Sequence, residues 1–289
     1  MVDRLAALLD HFSVTAQVFH AGTLCGSHLL QAQGCTGQLH LIRRGPLTVT
    51  HGSTRMRIDH PSLLLYPRPM AHRFESDAVQ GADMACANLS FAGGVNNSIC
   101  DALPDVVCLA LDDIPDASPV LSLLFEEAFA QRCGRASMLN RLFEVVLIQV
   151  LRQLMERDEV QGGMLAGLAH PRLRFALVAM HETPAQEWRL EELGKLCGMS
   201  RSVFANSFRT VVGCTPGVYL QSWRITLAQR LLRRGRPLKR VAEEVGYGSE
   251  TAFSRAFSTQ VGMPPRRWRQ EQKRLERTET ATEPYDAVT

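Results

Sequence analysis

The sequence lacks three features that would place it in other protein classes. Its eight cysteines include no Cys-x-x-Cys pair, which argues against a zinc finger. No stretch approaches the roughly 18 apolar residues of a membrane-spanning helix, and charged residues at positions 3, 4 and 10 interrupt any signal-peptide-like run. We therefore expect a cytoplasmic protein with mostly reduced thiols and no membrane partner.

Charge is present but unevenly distributed. The 289 residues are 45% hydrophobic and 21% charged, which is typical of a globular protein of about two domains. Residues 200–274 hold fifteen Lys and Arg against four Glu, a net +11, so the total of +3 leaves −8 for the rest. A basic block joined to an acidic body is typical of a nucleic-acid-binding domain attached to a regulatory or catalytic partner. A solvated basic face is the alternative.

A repeat with an offset of 49 residues links two stretches of the basic block. A Ser, two Phe, a Gly, a Pro and an aromatic residue recur in the same order. The pairs are Ser200/Ser249, Phe204/Phe253, Phe208/Phe257, Gly213/Gly262, Pro216/Pro265 and Tyr219/Trp268. A period of this length indicates duplicated supersecondary units.

Each copy has the signals of a helix-turn-helix. Gly198 and Gly246 suit the left-handed residue that ends a helix, and Ser200 and Ser249 suit the N-cap of the next helix. Such a second helix can enter the DNA major groove. We predict that its apolar side chains are buried, namely Val203, Phe204 and Phe208 in the first copy and Ala252, Phe253, Ala256 and Phe257 in the second. Tyr247, Trp223 and Trp268 are also predicted to be core residues.

The rest of the chain changes its period twice. Short β-like runs at 38–42, 47–50, 62–66 and 84–91, separated by turn residues, predict a small barrel or sandwich. Helical periodicity follows at 120–132 and 139–154, and the apolar stripe of the longer run suits either burial or a dimer seam. After a predicted linker between 161 and 171, further helical runs lie at 173–180, 190–196, 200–211, 216–234, 238–245 and 249–259.

The C-terminal motifs resemble a known family. Residues 200–219 and 241–268 are similar to the two helix-turn-helix halves of the arabinose-regulator (AraC/XylS) family of bacterial transcription factors. The match is carried by Gly-Tyr-Gly-Ser-x-x-x-Phe-Ser-Arg-x-Phe over 246–257 and by the Gly-x-x-Pro that follows. The resemblance implies two subdomains bridged by one long helix, 217–234, with recognition helices about 34 Å apart on one DNA face. It also implies double-stranded DNA and RNA polymerase as partners.

Candidate DNA contacts follow from this resemblance and from side-chain chemistry. Base contacts are expected from Arg201, Ser202 and Asn206 in the first groove, and from Glu250, Thr251, Ser254 and Arg255 in the second. Glu250 could instead serve the helix dipole. Phosphate contacts are expected from Arg209, Arg224, Lys239 and Arg240.

The N-terminal section resembles a cupin. Residues 67–72, Pro-Arg-Pro-Met-Ala-His, are similar to the second cupin motif Pro-x-Gly-x-x-His, with Pro69 at the Gly position. Cupin-like sensor domains occur in one branch of this regulator family, which includes oxidant-responsive members. Catalytic cupins carry His-x-His followed by Glu, whereas His40 is preceded by Gln38 and has no such Glu after it. No catalytic residue is therefore expected, and the protein is predicted not to be an enzyme.

Four residues are candidates for sensing. Cys25, His40, His72 and Cys86 fall on strands or strand edges that face the barrel interior in cupins, and two thiols with two imidazoles suit tetrahedral zinc. Cys25 and Cys86 could instead form an oxidant-driven disulfide. The alternatives are ordinary buried residues or a site for a small organic effector.

The predicted fold class is α+β: an N-terminal cupin-like β-barrel, a helical linker and an all-α domain with two helix-turn-helix subdomains joined by a long helix. The predicted boundaries are 1–115 for the sensor, 116–170 for the linker and dimerisation region, 171–271 for the DNA-binding domain and 272–289 for a disordered tail. The predicted function is a homodimeric transcriptional regulator under effector, thiol or metal control. The alternatives are a cupin-type metal enzyme fused to a DNA-binding domain and a constitutive architectural DNA binder.

Overall fold

A computed structural model describes residues 3–6, 9, 14–32, 36–91, 98–157 and 162–281. The chain divides into two compact units. One is Phe12–His170, and the other is Pro171–Thr289 together with Met1–His11. Among the described residues, no helix combines the length and apolarity needed to cross a bilayer.

The first unit is built on two antiparallel sheets. Its strands are β1 Val14–Leu24, β2 Ser27–Leu30, β3 Gly37–Arg44, β4 Leu47–His51, β5 Thr54–Ile58, β6 Ser62–Tyr66, β7 His72–Ser76, β8 Ala82–Phe91 and β9 Val107–Ala110. One sheet has the order β1-β8-β3-β6-β9 and the other β2-β7-β4-β5. The four predicted strand segments lie within β3, β4, β6 and β8, which confirms the cupin-like β fold.

The core of this unit lies between the inner faces of the two sheets. Because side chains alternate along a strand, β3 presents His40 and Ile42 to the same side, and Ile42 packs with Val49 and Phe74 of the opposite sheet. Ile42, Val49 and Phe74 are almost completely removed from solvent. Packing of this kind is worth roughly 1.5–3 kcal/mol per large apolar side chain.

Four α-helices within the described residues complete the first unit: α1 Ser98–Ala102, α2 Ser118–Phe129, α3 Arg135–Glu156 and α4 Gly163–Ala169. The predicted apolar stripe of α3 is buried, and α3 packs against β1. Asn140 Oδ1 accepts a hydrogen bond from the Val18 amide at 2.8 Å, and Glu144 Oε1 accepts one from the Ala16 amide at 3.3 Å. These bonds satisfy amides of an edge strand, which would otherwise be free to pair with another chain.

Two predictions about this region need correction. Residues 116–170 were predicted to be a separate linker, but they belong to the same compact unit as the sheets. The break predicted from 161 to 171 contains helix α4, Gly163–Ala169, whose Met164, Leu165 and Leu168 are buried. Gly162 and Gly163 at the start of this segment and Pro171 after it suggested a loop, but the apolar residues between them stabilise a short helix by burial.

The second unit is helical. Its helices are α5 Leu173–Glu182, α6 Leu190–Leu196, α7 Arg201–Val212, α8 Pro216–Arg233, α9 Leu238–Glu244, α10 Glu250–Val261 and α11 Pro265–Ala281. All six predicted helical runs are present. We call α6 and α7 the first half, α9 and α10 the second half, and α8 the bridging helix. The tail predicted from 272 is wrong over 272–281, where α11 continues, and residues 282–289 lie outside the described residues.

The capping signals read from the repeat are confirmed. Ser200 Oγ accepts from the Val203 amide at 3.4 Å, and Ser249 Oγ accepts from the Ala252 amide at 3.1 Å. Each bond satisfies an amide that has no partner within its helix. Gly213 and Gly262 end the same helices with φ of +86° and +80°, a conformation that favours glycine.

The repeated aromatic residues form two equivalent cores. Phe204 and Phe208 are fully buried with ring centroids 5.6 Å apart, and Phe253 and Phe257 repeat that distance. Tyr219 packs against the first pair and Trp268 against the second.

Two of the predicted core positions are wrong. Val203 is 50% exposed and Ala252 is exposed, since each lies three residues after its cap and faces away from the aromatic pair. Ala256 and Tyr247 are only partly buried.

Candidate functional site

The exposed face of α7 carries the residues predicted for the first groove. Arg201, Ser202 and Asn206 are all exposed, and they lie in the first two turns after the Ser200 cap. Arg201 Nε lies 3.3 Å from Glu191 Oε1, but both side chains are more than half exposed. Because exposed pairs of this kind contribute only about 0–1 kcal/mol, Arg201 can leave Glu191 for a stronger acceptor.

The face of α10 is more constrained. Thr251 and Arg255 are exposed, whereas Ser254 is partly buried. Glu250 lies in the first turn, and its Oε1 accepts a hydrogen bond from Arg266 Nη2 of α11 at 3.2 Å. This arrangement favours a role for Glu250 at the helix N-terminus over contact with a cytosine.

The cations predicted for phosphate contact differ in their surroundings. Arg209 and Lys239 are exposed, and within the described part of the chain neither forms an ion pair. Arg240 Nη1 lies 3.5 Å from Glu243 Oε2, with both side chains at least half exposed. All three are therefore open to an approaching phosphate.

Arg224 does not fit the same assignment. Its Nε donates to the Pro184 carbonyl at 2.6 Å, its Nη2 to the Gln186 carbonyl at 2.9 Å and its Nη1 to the Gly246 carbonyl at 3.2 Å. Burial lowers the pKa of the guanidinium, while Tyr247 and Glu187 act in the opposite direction. With all three nitrogens occupied by main-chain oxygens, Arg224 is a structural contact, and the prediction of a phosphate contact is corrected.

Sequence reasoning missed three basic residues of this surface. Arg234 and Arg236 are exposed in the turn between α8 and α9, close in sequence to Lys239. The run Arg-Arg-Gly-Arg at 233–236 was the available signal. Arg266 gave no local signal, because its partner Glu250 lies sixteen residues away on another helix.

The interior of the first unit brings three of the four candidate sensing residues together. Cys86 of β8 lies opposite His40 of β3 and opposite His20 of β1, so three polar side chains share one row of the sheet. His72 of β7 reaches across from the other sheet, with its Nε2 3.0 Å from His40 Nε2. Both His40 and His72 are buried.

The hydrogen bonds determine how these imidazoles are protonated. Burial lowers the pKa of His40 well below its usual value and also lowers that of His72, so both rings are neutral near pH 7. His72 Nδ1 donates to the Met70 carbonyl at 2.9 Å, since that oxygen can only accept. His72 Nε2 therefore accepts from His40 Nε2. This leaves His40 Nδ1 as a buried acceptor without a partner among the described residues.

Cys25 is not part of this cluster. It follows Leu24, which pairs with Ala82, whereas Cys86 pairs with His20, so the two cysteines are offset by five residues along the strands. At about 3.3 Å per residue this is roughly 16 Å, well beyond the ~7 Å Cα separation that a disulfide tolerates. Cys25 is exposed. The prediction that all four residues share one interior site is corrected.

The gathered residues do not make the predicted zinc site. Within the described residues there is no group of three or more His, Cys, Asp or Glu side chains placed to hold a metal ion. The Nε2 atoms of His40 and His72 form a hydrogen bond with each other, and burial raises the pKa of the Cys86 thiol.

A pocket of about 180 Å³ opens beside this cluster. It is lined mainly by apolar side chains, with imidazoles and the Cys86 thiol as its polar groups. The lining residues are Phe19, His20, Leu24, His28, Leu30, Phe74 and Cys86. This volume is below the roughly 300–1,000 Å³ of pockets for drug-sized ligands, so the pocket suits only a very small, largely apolar ligand.

Comparison with known proteins gives one family match for each of the two parts of the chain. Residues 3–156 match the family described as Cupin, and residues 193–271 match a helix-turn-helix domain. A putative AraC-like transcription regulator of Streptomyces antibioticus is 39% identical over 195 residues, which are 65% of this chain and 64% of that protein. The chain thus aligns with less than two thirds of this relative.

Two further relatives align over most of their lengths. The transcriptional regulator AlkR of Acinetobacter baylyi is 29% identical over 84% of this chain and 90% of its own. The RCS-specific transcriptional activator RclR of Escherichia coli is 27% identical over 74% of this chain and 77% of its own. With an N-terminal domain of the cupin family and a duplicated helix-turn-helix domain, the chain belongs to the AraC family of transcriptional regulators.

Proposed function

We propose that this protein is a sequence-specific DNA-binding regulator of transcription whose activity is controlled by an effector at its cupin domain. One observation carries the proposal: two Ser-capped helices, α7 and α10, bury equivalent Phe pairs and expose polar and cationic side chains. A helix that is anchored by its apolar face and exposed at its N-terminal turns is suited to the major groove.

The two faces support an asymmetric binding site for each protomer. Arg201 and Asn206 on α7 suit guanine and adenine. On α10, Thr251 and Arg255 are the exposed candidates, while Glu250 is held by Arg266. Different side chains in the two grooves select different bases, so the halves read unlike sequences. Arg209, Lys239 and Arg240 then position the protein on phosphates.

A small organic effector is the signal that the cupin domain supports best. The pocket beside Cys86 is open, mainly apolar and large enough for a compact ligand. A Cys25–Cys86 thiol switch, suggested also by the name of the RCS-specific relative, requires the two strands to rearrange before the sulfurs can meet. The raised pKa of Cys86 further lowers its reactivity.

Dimerisation is proposed through α3. Its buried stripe packs within its own unit, and its other face exposes Met138 and Val145, two apolar residues seven positions apart. This spacing places them on one line of the helix, as in a two-helix seam. RNA polymerase is proposed as a partner because the relatives are named transcriptional regulators. The same names favour a regulatory over a catalytic role for the cupin domain.

DNA binding by the full chain tests this proposal. Fluorescence anisotropy is measured with labelled DNA from upstream of the protein's own gene and with a shuffled sequence of equal composition. We expect at least about 10³-fold tighter binding to the upstream DNA, as for specific regulators. The double variant Arg201→Ala, Asn206→Ala, with an unchanged melting temperature, should lose most of this preference. Equal affinity of the wild type for both DNAs would show an architectural binder instead.

The effector proposal has its own measurement. The same titration is repeated with small apolar carboxylates, alcohols and aromatics, and with wild type and Leu30→Trp protein, whose larger side chain fills the pocket. An active compound should shift the wild-type DNA affinity and leave that of Leu30→Trp unchanged. A shift that persists in the filled variant, or that instead follows oxidant treatment and is lost in Cys25→Ser, contradicts the pocket as the effector site.

A further inference from the structure

One side chain of the bridging helix bonds to a segment that precedes the first half and to the turn of the second half. Arg224 lies in the bridging helix α8, between the first and second halves. It donates to the carbonyls of Pro184 and Gln186, which lie in the connection between α5 and the first half. Its third bond is to the carbonyl of Gly246, in the turn that joins the two helices of the second half. The guanidinium thus links two main-chain segments that are about sixty residues apart in the sequence.

The same two segments touch through their main chains. Gly246 has φ of +84°, and a Cβ built there would lie 2.6 Å from the Ala185 Cα and 2.8 Å from its carbonyl oxygen. Real Cβ atoms do not approach backbone so closely, so only glycine permits this contact. Tyr247, the next residue, places its ring 5.8 Å from the Arg224 guanidinium carbon. We call Arg224, Ala185 and Gly246, with the Pro184 and Gln186 carbonyls, the brace.

Packing next to the brace is incomplete. A pocket of about 230 Å³ lies between α5, α8 and α9, lined by residues that include His181, Leu227 and Val245. Apolar contact across this gap is therefore limited. Next to this pocket, the hydrogen bonds of Arg224 and the contact of Gly246 with Ala185 connect the two segments directly. Charge-assisted hydrogen bonds such as those of Arg224 are shorter and stronger than neutral ones.

We propose that Arg224 is a positioning residue for DNA binding: through the brace it sets the spacing and angle between α7 and α10, and so the separation of half-sites that the protein accepts. This inference rests on the proposed function, because it concerns how the two recognition helices engage one DNA. Insertion of one base pair moves a half-site by about 3.4 Å along the axis and turns it by about 35°. A braced pair of helices cannot follow that change.

The test uses the full-length protein and a set of operators. The preferred site is first selected from random DNA, and its two half-sites are then separated by one or two base pairs more or fewer. For the wild type we expect each one-base-pair change to weaken binding by about tenfold or more. For Arg224→Met, which keeps an unbranched apolar side chain but lacks the guanidinium donors, the loss should fall to within about threefold.

A second variant tests the main-chain contact. In Gly246→Ala the new methyl group pushes Ala185 away, and the expected result is the same broadened spacing profile. Gly198→Ala is the matched control: Gly198 is the corresponding helix-ending glycine in the first half, with φ of +59°, but its nearest neighbour is the Arg172 side chain at 3.5 Å. Gly198→Ala introduces a side chain at a positive φ, as Gly246→Ala does, but without a clash against backbone. Its dependence of DNA affinity on half-site spacing should therefore remain that of the wild type.

The outcomes separate the brace from other roles. Loss of a phosphate contact at Arg224 would weaken every spacing alike and lower the salt slope by about one, which would overturn the proposal. A wild-type protein that tolerates all spacings, or variants that keep the sharp profile, would overturn it too. If a variant fails to fold, binding of the wild type to the operators of different spacing still tests the proposal, because equal affinity for all spacings overturns it. Absence of any specific site for the wild type would refute the proposed function instead.

Discussion

The first and second halves of the DNA-binding unit have the same interior and different exteriors. Inside, the Phe204–Phe208 and Phe253–Phe257 pairs have equal centroid separations of 5.6 Å. Outside, α7 begins with Arg201, paired loosely with Glu191, and α10 begins with Glu250, paired with Arg266. The repeat therefore preserves the residues that anchor each Ser-capped helix and varies the residues on its exposed face.

The turns of the two halves differ in length by one residue. The first half turns through Gly198-Met199-Ser200, and the second through Gly246-Tyr247-Gly248-Ser249. This longer turn contains Gly246, whose carbonyl accepts a hydrogen bond from Arg224 in the brace, and Tyr247, whose ring contacts the Arg224 guanidinium. Tyr247 also packs on Phe253 at 5.6 Å. The second turn thus links the halves as well as joining two helices.

The largest expected effect concerns the shared interior. Phe208→Ala and Phe257→Ala should each destabilise the unit by about 3–5 kcal/mol, because each removes a fully buried ring. The measurement is urea unfolding of the full chain, followed by tryptophan fluorescence. Phe→Leu at both positions is the control and should cost much less. Losses that differ by more than about 2 kcal/mol between the two positions would break the claim of equivalent cores.

A smaller effect concerns the differing exteriors. Arg201→Ala and Arg255→Ala should each cost roughly 1–3 kcal/mol of discrimination at one base pair, in different half-sites. Binding to operators with single substitutions measures this. Lys239→Ala is the control, which should weaken all operators alike and lower the salt slope by about one. Uniform weakening by all three variants would contradict the assignment of Arg201 and Arg255 to bases.

The smallest effect is expected at Glu250. Glu250→Gln removes the charge that meets Arg266 on a partly exposed surface, so the unfolding free energy should fall by no more than about 1 kcal/mol. Base preference should not change, because the carboxylate is assigned to the helix terminus and to Arg266. A changed preference at one cytosine in the operator selection would place Glu250 among the base contacts and bring the two exteriors closer together.

Local signals predicted most of the helical unit. Ser200 and Ser249 were recognised as caps because capping depends on a few adjacent residues, and the Phe pairs because a buried face recurs with the helical period. Helix α11 was not among the predicted helical runs, and its residues from 272 were predicted to be a disordered tail, because its highly charged sequence lacks an apolar stripe. Val203 and Ala252 were predicted to be buried because each is apolar and directly precedes a buried Phe, but both face away from the aromatic pair.

Long-range contacts were the source of the other errors. The nitrogens of Arg224 donate to main-chain carbonyl oxygens. Every residue has such an oxygen, so the sequence does not indicate which ones accept. Cys25 was grouped with Cys86 because the cupin resemblance placed both on strands or strand edges that face the interior, but their separation depends on the register of β1 and β8. His40 and His72, which the cupin resemblance placed on strands facing the interior, are both buried and in contact, and their role in sensing stays a prediction.

Selection of bound sequences from random DNA by the full-length protein tests the central claim most directly, which is that two like-built helices read unlike DNA. The account predicts that each protomer's site contains two different half-sites at one fixed separation, and that Arg201→Ala degrades one of them while leaving the other intact. Two identical half-sites within a protomer's site, or loss of both in Arg201→Ala, would contradict it.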